Sequence, residues 1–389
     1  MNKLLVLLVT ISTLSGCNQA KENQIKVNEQ TASAANTQSN KTPKLVNTDG
    51  SYAVKPLEKK VINLTVVQSG VASLKKFPSI EHGIQHNLDH MVELANKACS
   101  MAVKPDILLF HEFPLTGYDP GTRTEKLKFA LDIPGKETEV LGQVAKACDT
   151  YLIFGSYAKD KDWPGHILSI NTMIGRDGNI VKKFWKARNI KRIYPDREIT
   201  TTTIEAVRDK YRAMYGAEEE FPVVRTEYGN IAVSTVQMDP FIFAAFAMRG
   251  TEIMLRTATL YAKEDVLAMA RINNFYSAMS NIIFPAEMNY PAGESIIVSP
   301  QAKILAEEKS EFEEGIITAQ IPIAQFREGR RIPNFAYEMA KPILDNYQQE
   351  IPINHLDLPR KQLPETGKAM KDLFDEKSRW IKGKSWEID

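Results

Sequence analysis

The chain has 389 residues, with 49 Lys and Arg against 48 Asp and Glu. That balance, with no clustered basic face, argues against a nucleic-acid partner and against a membrane role based on charge alone. The length allows one large α/β domain with appended segments, and no motif calls for a cofactor.

The first sixteen residues carry Lys3, an apolar core from Leu4 to Ile11, and Leu14-Ser15-Gly16 directly before Cys17. A short basic start with an apolar stretch too short to span a bilayer reads as a signal peptide, 1–16. The Leu-Ser-Gly-Cys ending resembles a bacterial lipobox, which makes Cys17 the expected lipidation site and membrane anchor. Asn18 stands where an aspartate would resemble an inner-membrane retention signal, so an outer membrane facing the periplasm is expected in a host with two membranes. From the lipidated cysteine to Lys59 the sequence is dominated by Asn, Gln, Thr, Ser, Ala and Lys, a composition that reads as a disordered tether, 17–59.

The folded part begins with an apolar strand pattern, Val61–Gln68, then a helical periodicity, Ile80–Ser100. Strand patterns follow at Asp106–Phe110 and Tyr151–Ser156, with a helix at Val140–Cys148 between them. Cys99 and Cys148 each end a helical stretch and read as small buried hydrophobes; their spacing alone does not argue for a disulfide. Ile167–Ile174 and Ile180–Phe184 flank the hairpin turn Arg176-Asp177-Gly178-Asn179. Further patterns lie at Ile253–Thr257, Lys263–Tyr276 (helical), Ser277–Phe284 and Glu294–Val298.

Between them, Tyr228–Gly250 has a distinct outline: a turn at Gly229, an apolar run Ile231–Val236, an elbow at Asp239-Pro240, and an apolar helix Phe241–Met248. A strand, elbow and helix in this order mount a residue at a pocket mouth near unpaired helix N–H groups. This segment resembles the nucleophile segment of the nitrilase superfamily, the carbon–nitrogen hydrolases, in which a cysteine closes the strand. Asp106–Tyr118 resembles the family segment with the catalytic glutamate, at Glu112, and Gly178–Lys186 the one with the catalytic lysine, at Lys186. Arg271, Asn274, Asn281 and the run Gly293–Pro300 with Ile304–Glu307 resemble later signatures. The Ala247–Glu252 run and Arg256 look closest to aliphatic amidases and formamidases.

The resemblance implies an α/β fold of the four-layer αββα sandwich type over 60–322, and amide or nitrile substrates. It also implies a C-terminal extension, 323–389, in contact with a second subunit of a homodimer. In the family a thiolate attacks, the glutamate moves protons and the lysine stabilises the oxyanion. Counting forward from Gly229 puts Val236 at the nucleophile position; counting back from Pro240 puts Ser234 there. Valine cannot ionise or attack. The reading is an envelope-anchored, degenerate member that binds an amide-like small molecule or a protein partner. The alternative is an active amidase working through Ser234, Thr235 or a water directed by Gln237 or Asp239.

Three smaller readings complete the sequence. A second catalytic glutamate among Glu198, Glu205, Glu218, Glu219 and Glu220 is not assigned by spacing. The helical stretch Ile204–Tyr215 has no obvious core face and is expected to form a lid or subunit contact. His82, His86 and His90 fall on one helix face and read as a polar surface, with no metal site. Beyond Pro322, helical patterns are expected at Phe335–Tyr347 and Met370–Ile381.

Overall fold

The computed structural model describes residue 47 and residues 49–189, 201–260 and 262–378. The signal, Cys17 and most of the tether lie outside them, as does Glu198.

One sheet contains β1 (Ile62–Gln68), β2 (Ile107–Leu109), β3 (Leu131–Asp132), β4 (Tyr151–Lys159), β5 (Leu168–Ile174), β6 (Ile180–Trp185) and β13 (Gly315–Ile321), in the order β13-β1-β2-β4-β5-β6 with β3 on β4. The second contains β7 (Val224–Thr226), β8 (Gly229–Ser234), β9 (Ile253–Ala258), β10 (Tyr276–Asn281), β11 (Ile296–Val298) and β12 (Ile304–Glu307), ordered β12-β11-β10-β9-β8-β7. The central strands β1, β2 and β4, and β8, β9 and β10, run parallel, as expected of strands buried on both faces.

Alternate side chains settle the layering. Leu64, Val66, Leu109, Ile153, Met173 and Phe184 of the first sheet meet Ile231, Val233, Leu255 and Ala278 of the second in one core. The opposite face of the first sheet, with Leu108, Phe110, Phe154 and Ile170, is covered by α1 (Ile80–Ser100), α2 (Arg123–Phe129) and α3 (Lys136–Cys148). The opposite face of the second, with Ala232, Met254 and Met279, is covered by α5 (Pro240–Met248) and α6 (Lys263–Asn273). The architecture is the expected four-layer αββα sandwich.

The β5–β6 hairpin turns at Gly178, whose φ of 87° favours glycine, and a Cβ there would come within 2.7 Å of the Gly142 carbonyl on α3. Cys99 and Cys148 are not separate buried hydrophobes: they are joined in a disulfide with Cα atoms 5.7 Å apart. The bond ties the C-terminal ends of α1 and α3, and both cysteines are only half-buried. Parallel helices feeding neighbouring parallel strands bring the two ends together, a tertiary fact that spacing does not encode.

The stretch Ile204–Tyr215 also departs from expectation. It forms a short 3-10 turn, Glu205–Val207, and α4 (Arg208–Tyr215), and it does have a core face. Ile204, Val207 and Tyr211 pack with Trp163 and with Leu356, Leu363, Met370 and Phe374 from the C-terminal segment. Near the C-terminus α7 (Ile323–Gly329), α8 (Tyr337–Asn346) and α9 (Gly367–Lys377) follow β13. Among the described residues no helix is long and apolar enough to cross a membrane.

Candidate functional site

Glu112 lies three residues past β2, and its backbone is gripped by β4. A Cβ on Gly155 would fall 2.4 Å from the Glu112 carbonyl oxygen and 2.8 Å from its Cα, so only glycine permits this approach. Gly155 N–H donates to the His111 carbonyl at 3.0 Å, fixing the turn that aims the glutamate. His111 itself is fully buried, and burial lowers its imidazole to about 3, so it stays neutral.

Lys186 is the residue after β6. Its backbone N–H donates to the Ser169 carbonyl at 3.0 Å, and its ammonium donates to Glu112 Oε1 at 3.2 Å. The Ser169 hydroxyl donates to the same oxygen at 3.2 Å. The pair is buried, with 10% of the lysine and 5% of the glutamate side chain exposed. A buried, hydrogen-bonded pair of this kind can hand a proton to a bound group or offer it two charged hydrogen bonds. Sequence reasoning found both members and missed Ser169, whose only signal is its place on β5 beside the lysine strand.

The elbow belongs to the second sheet. β8 ends at Ser234, and Val236 follows in the turn, 1% exposed. Arg256, on β9 and fully buried, donates to the Val236 carbonyl at 2.8 Å and to Asp265 Oδ2 at 2.6 Å. Its guanidinium lies 4.2 Å from the Phe243 ring centroid on α5. Asp265 also accepts from Met238 N at 3.1 Å, where φ is 49°. Thus the elbow is clamped from behind by one ion pair.

Asp239 is the N-cap of α5, accepting from Phe241 N and Ile242 N at 3.1 Å each, and it accepts from Arg188 Nη1 at 2.9 Å. It is fully committed to these partners, which makes it a poor water activator. The same bond holds Arg188 against the elbow rather than free in solvent. Arg188 stands two residues beyond Lys186 and Asp239 three beyond Val236, so this contact draws the lysine segment and the elbow together. A second tie between the sheets runs from the Thr257 hydroxyl to Asn171 Oδ1 at 2.6 Å.

The alternation of β8 separates the two candidate hydroxyls. Ile231 and Val233 point into the inter-sheet core and Ala232 into the helix layer, so Ser234 faces the helices. Its Oγ accepts from Val236 N at 3.1 Å. Continued by one residue, the alternation turns Thr235 toward the inter-sheet side, where its hydroxyl is buried without a partner among the described residues.

Next to the elbow lies an open cleft of about 600 Å³, with Ala187, Arg188, Glu205, Met238, Asp239 and Phe241 on its walls. Of the candidate second glutamates, Glu205 reaches Arg188 at 3.7 Å, Glu220 is held by Arg208 at 2.6 Å, and Glu219 pairs with Lys182. The three histidines of α1 have separate contacts: His82 with Ser79, His86 against Phe77, and His90 with Glu314 at 2.6 Å. Among the described residues no group of three or more ligating side chains could hold a metal ion.

Known proteins resemble this chain in sequence and in fold. The carbon–nitrogen hydrolase family matches residues 76–331. Omega-amidase NIT2-B of Xenopus laevis is 28% identical over 213 residues, covering 52% of this chain and 72% of that protein. Omega-amidase NIT2 of Homo sapiens is 26% identical over 234 residues, covering 55% and 80%. Among solved structures, a double mutant of the amidase from Nesterenkonia sp. AN1 in complex with acrylamide superimposes with a TM-score of 0.52 at 16% identity, covering 75% of this chain and 100% of that one. Another form of that enzyme, with a TM-score of 0.51 at 16% identity and covering 72% and 96%, carries an acetamide moiety covalently at its active-site cysteine. With the family match spanning most of the chain, the sandwich and the Glu112 and Lys186 segments in place, this protein belongs to the carbon–nitrogen hydrolase family.

Proposed function

We propose that this chain binds small carboxamides in a carbon–nitrogen hydrolase site that has lost its nucleophile, and that it does so at the bacterial envelope, held by lipid on Cys17. One observation carries the reading. The Glu112–Lys186 pair is retained, buried and supported by Ser169, while both cysteines of the folded part are joined to each other. Nothing in the described elbow supplies a thiolate, and Val236 has no group that could attack a carbonyl.

What remains is suited to holding an amide. The Lys186 ammonium can donate to the amide oxygen, and Glu112 Oε2, not engaged by Lys186 or Ser169, can accept from the amide N–H. Each charged hydrogen bond in a water-poor site is worth about 1.5–3 kcal/mol. The disulfide supports the envelope location, because such bonds persist in exported proteins and are rare in reducing compartments. Thermal unfolding of the full chain tests the reading. Saturating butyramide should raise the midpoint, since ligand at about 100 times Kd adds about 2.7 kcal/mol, and Glu112→Gln should abolish the rise. A midpoint indifferent to every carboxamide contradicts it.

The second reading is slow hydrolysis through Thr235, favoured over Ser234 because the Thr235 hydroxyl is the one turned toward the inter-sheet side. A hydroxyl needs a stronger positioned base than a thiol does. Ammonia release that vanishes in Thr235→Val and persists in Ser234→Ala would establish it.

A further inference from the structure

We infer that the C-terminal segment is an intramolecular brace for Lys186, and that Asn354 and Leu356 are the positioning residues through which it acts. The inference rests on the amide-binding reading above and adds to it what holds the cationic half of the pair in place.

Lys186 stands where a sheet ordinarily leaves a chain unsupported. It is one residue past β6, and β6 is the edge strand of its sheet, so β5 holds the backbone from one side only. Backbone groups at a sheet edge still need partners. A short ladder supplies them. Ile204 N–H donates to the Lys186 carbonyl at 3.1 Å, and Glu205 N–H to the Ala187 carbonyl at 2.9 Å. Residues 204–206 belong to no strand themselves, and the chain goes on into the 3-10 turn and α4. Their own carbonyls are taken up by the C-terminal segment: Asn354 N–H donates to Glu205 at 3.1 Å and Leu356 N–H to Ala206 at 3.0 Å. Stretches far apart in sequence thus meet in one hydrogen-bonded series that ends on Lys186.

Side chains fix the outer member of this series. Asn354 has a φ of 65°, in the left-handed region that asparagine tolerates better than most residues. Its Oδ1 accepts from Asp209 N–H at 2.9 Å and its Nδ2 donates to Asp209 Oδ2 at 2.8 Å, so both ends of the amide close on the first turn of α4. Leu356, 2% exposed, enters the small core with Ile204, Val207, Tyr211 and Phe374. Trp185, the neighbour of Lys186 in sequence, packs against the same core, its ring centroid 5.2 Å from those of Trp163 and Tyr211. Further on the segment is tied down again, where Glu365 accepts from Thr124 N and Oγ1 at 2.9 Å each on α2.

The brace also reaches the elbow. The Glu205 carboxylate lies 3.7 Å from Arg188, which is bonded to Asp239. A binding constellation works only when its members are held to within about 0.5 Å by the groups around them. A sheet edge alone does not hold Lys186 that closely; the ladder does.

The test is amide hydrogen exchange and calorimetric binding of butyramide, on the full chain and on Asn354→Gly, Leu356→Ala and Leu356→Met. Glycine keeps the left-handed backbone and removes only the clamp on Asp209. Exchange should rise at least about tenfold at the Ile204 and Glu205 amides of Asn354→Gly and Leu356→Ala, and stay at the native level along β1 and β13, which shows that the variants are folded. Butyramide should bind about threefold more weakly to Asn354→Gly and at least about tenfold more weakly to Leu356→Ala, the loss expected when Lys186 no longer meets its ligand. Leu356→Met refills the core and should restore both readouts. Raised exchange with native butyramide binding overturns the inference and leaves the amide reading standing. Unchanged exchange in both variants also overturns it, because the ladder then does not depend on the C-terminal segment. Failure of the native chain to bind butyramide overturns both.

Discussion

The two sheets carry two parts of the candidate site, and the proposed reading treats them differently. On the first sheet the chemistry is intact: Glu112 and Lys186 are bonded at 3.2 Å, Ser169 supports them, and Gly155 leaves room for the glutamate backbone. On the second sheet the scaffold is intact, and under the proposed reading the chemistry is not. The elbow is still capped by Asp239 and clamped by Arg256, yet the residue it presents is Val236. Keeping a strained, clamped turn has a stability cost that a useless loop would not need. The proposed reading accounts for that contrast as a pocket used for binding without attack.

Four perturbations would break or sharpen this comparison. The largest effect is expected at the elbow. Arg256→Met leaves Asp265 buried and unpaired and frees the Val236 carbonyl, which should cost about 3–5 kcal/mol in chemical denaturation. A loss below about 1 kcal/mol would mean the clamp is not what holds the turn. Next comes the first sheet. The disulfide spans 49 residues and encloses the Glu112 segment, so Cys99→Ser with Cys148→Ser should cost about 4 kcal/mol by loop entropy. Amide binding should weaken with it, and reduction of the native protein should do the same.

The third perturbation is acid. His111 is neutral in the fold down to about 3, whereas in the unfolded chain it takes a proton near its ordinary value of 6.5. Between those values the unfolded state binds more protons, so stability should fall with falling pH by up to about 1.4 kcal/mol per unit. His111→Phe should flatten that part of the profile; an unchanged slope would assign it to other groups. His90 runs in the opposite sense. Its bond to Glu314 raises it, so the stability it supplies is present below 6.5 and is lost as pH rises through the raised value. The smallest change is Asp239→Ala, which removes the α5 cap and the Arg188 bond and should cost about 1–2 kcal/mol. If stability drops and butyramide binding does not, the elbow is uncoupled from the first sheet.

Much of the frame was legible because parallel strands buried on both faces give unbroken apolar runs, and the helices between them show the longer period. The turn Arg176-Asp177-Gly178-Asn179 announced its hairpin through glycine. What escaped were elements whose partners are remote. β13 pairs with the whole of β1 across more than 240 residues, from Gln68↔Gly315 to Ile62↔Ile321, and nothing local marks it. Helix α2 is charged and short; its capping box, Thr122 with Glu125, was the available signal. The core face of α4 is made by Leu356 and Phe374, which arrive from the C-terminal segment. At the site, Glu112 and Lys186 could be named from their motifs. Ser169 and Arg188 could not, because their partners, Glu112 and Asp239, are remote in sequence.

The central claim is that the pocket is whole and lacks only a nucleophile. Ammonia release from butyramide by the full chain, measured beside Val236→Cys, addresses it directly. The account predicts no turnover by the native protein and turnover by the cysteine variant that Glu112→Gln then removes. Turnover by the native chain, abolished by Glu112→Gln, would contradict it and make the protein a working amidase.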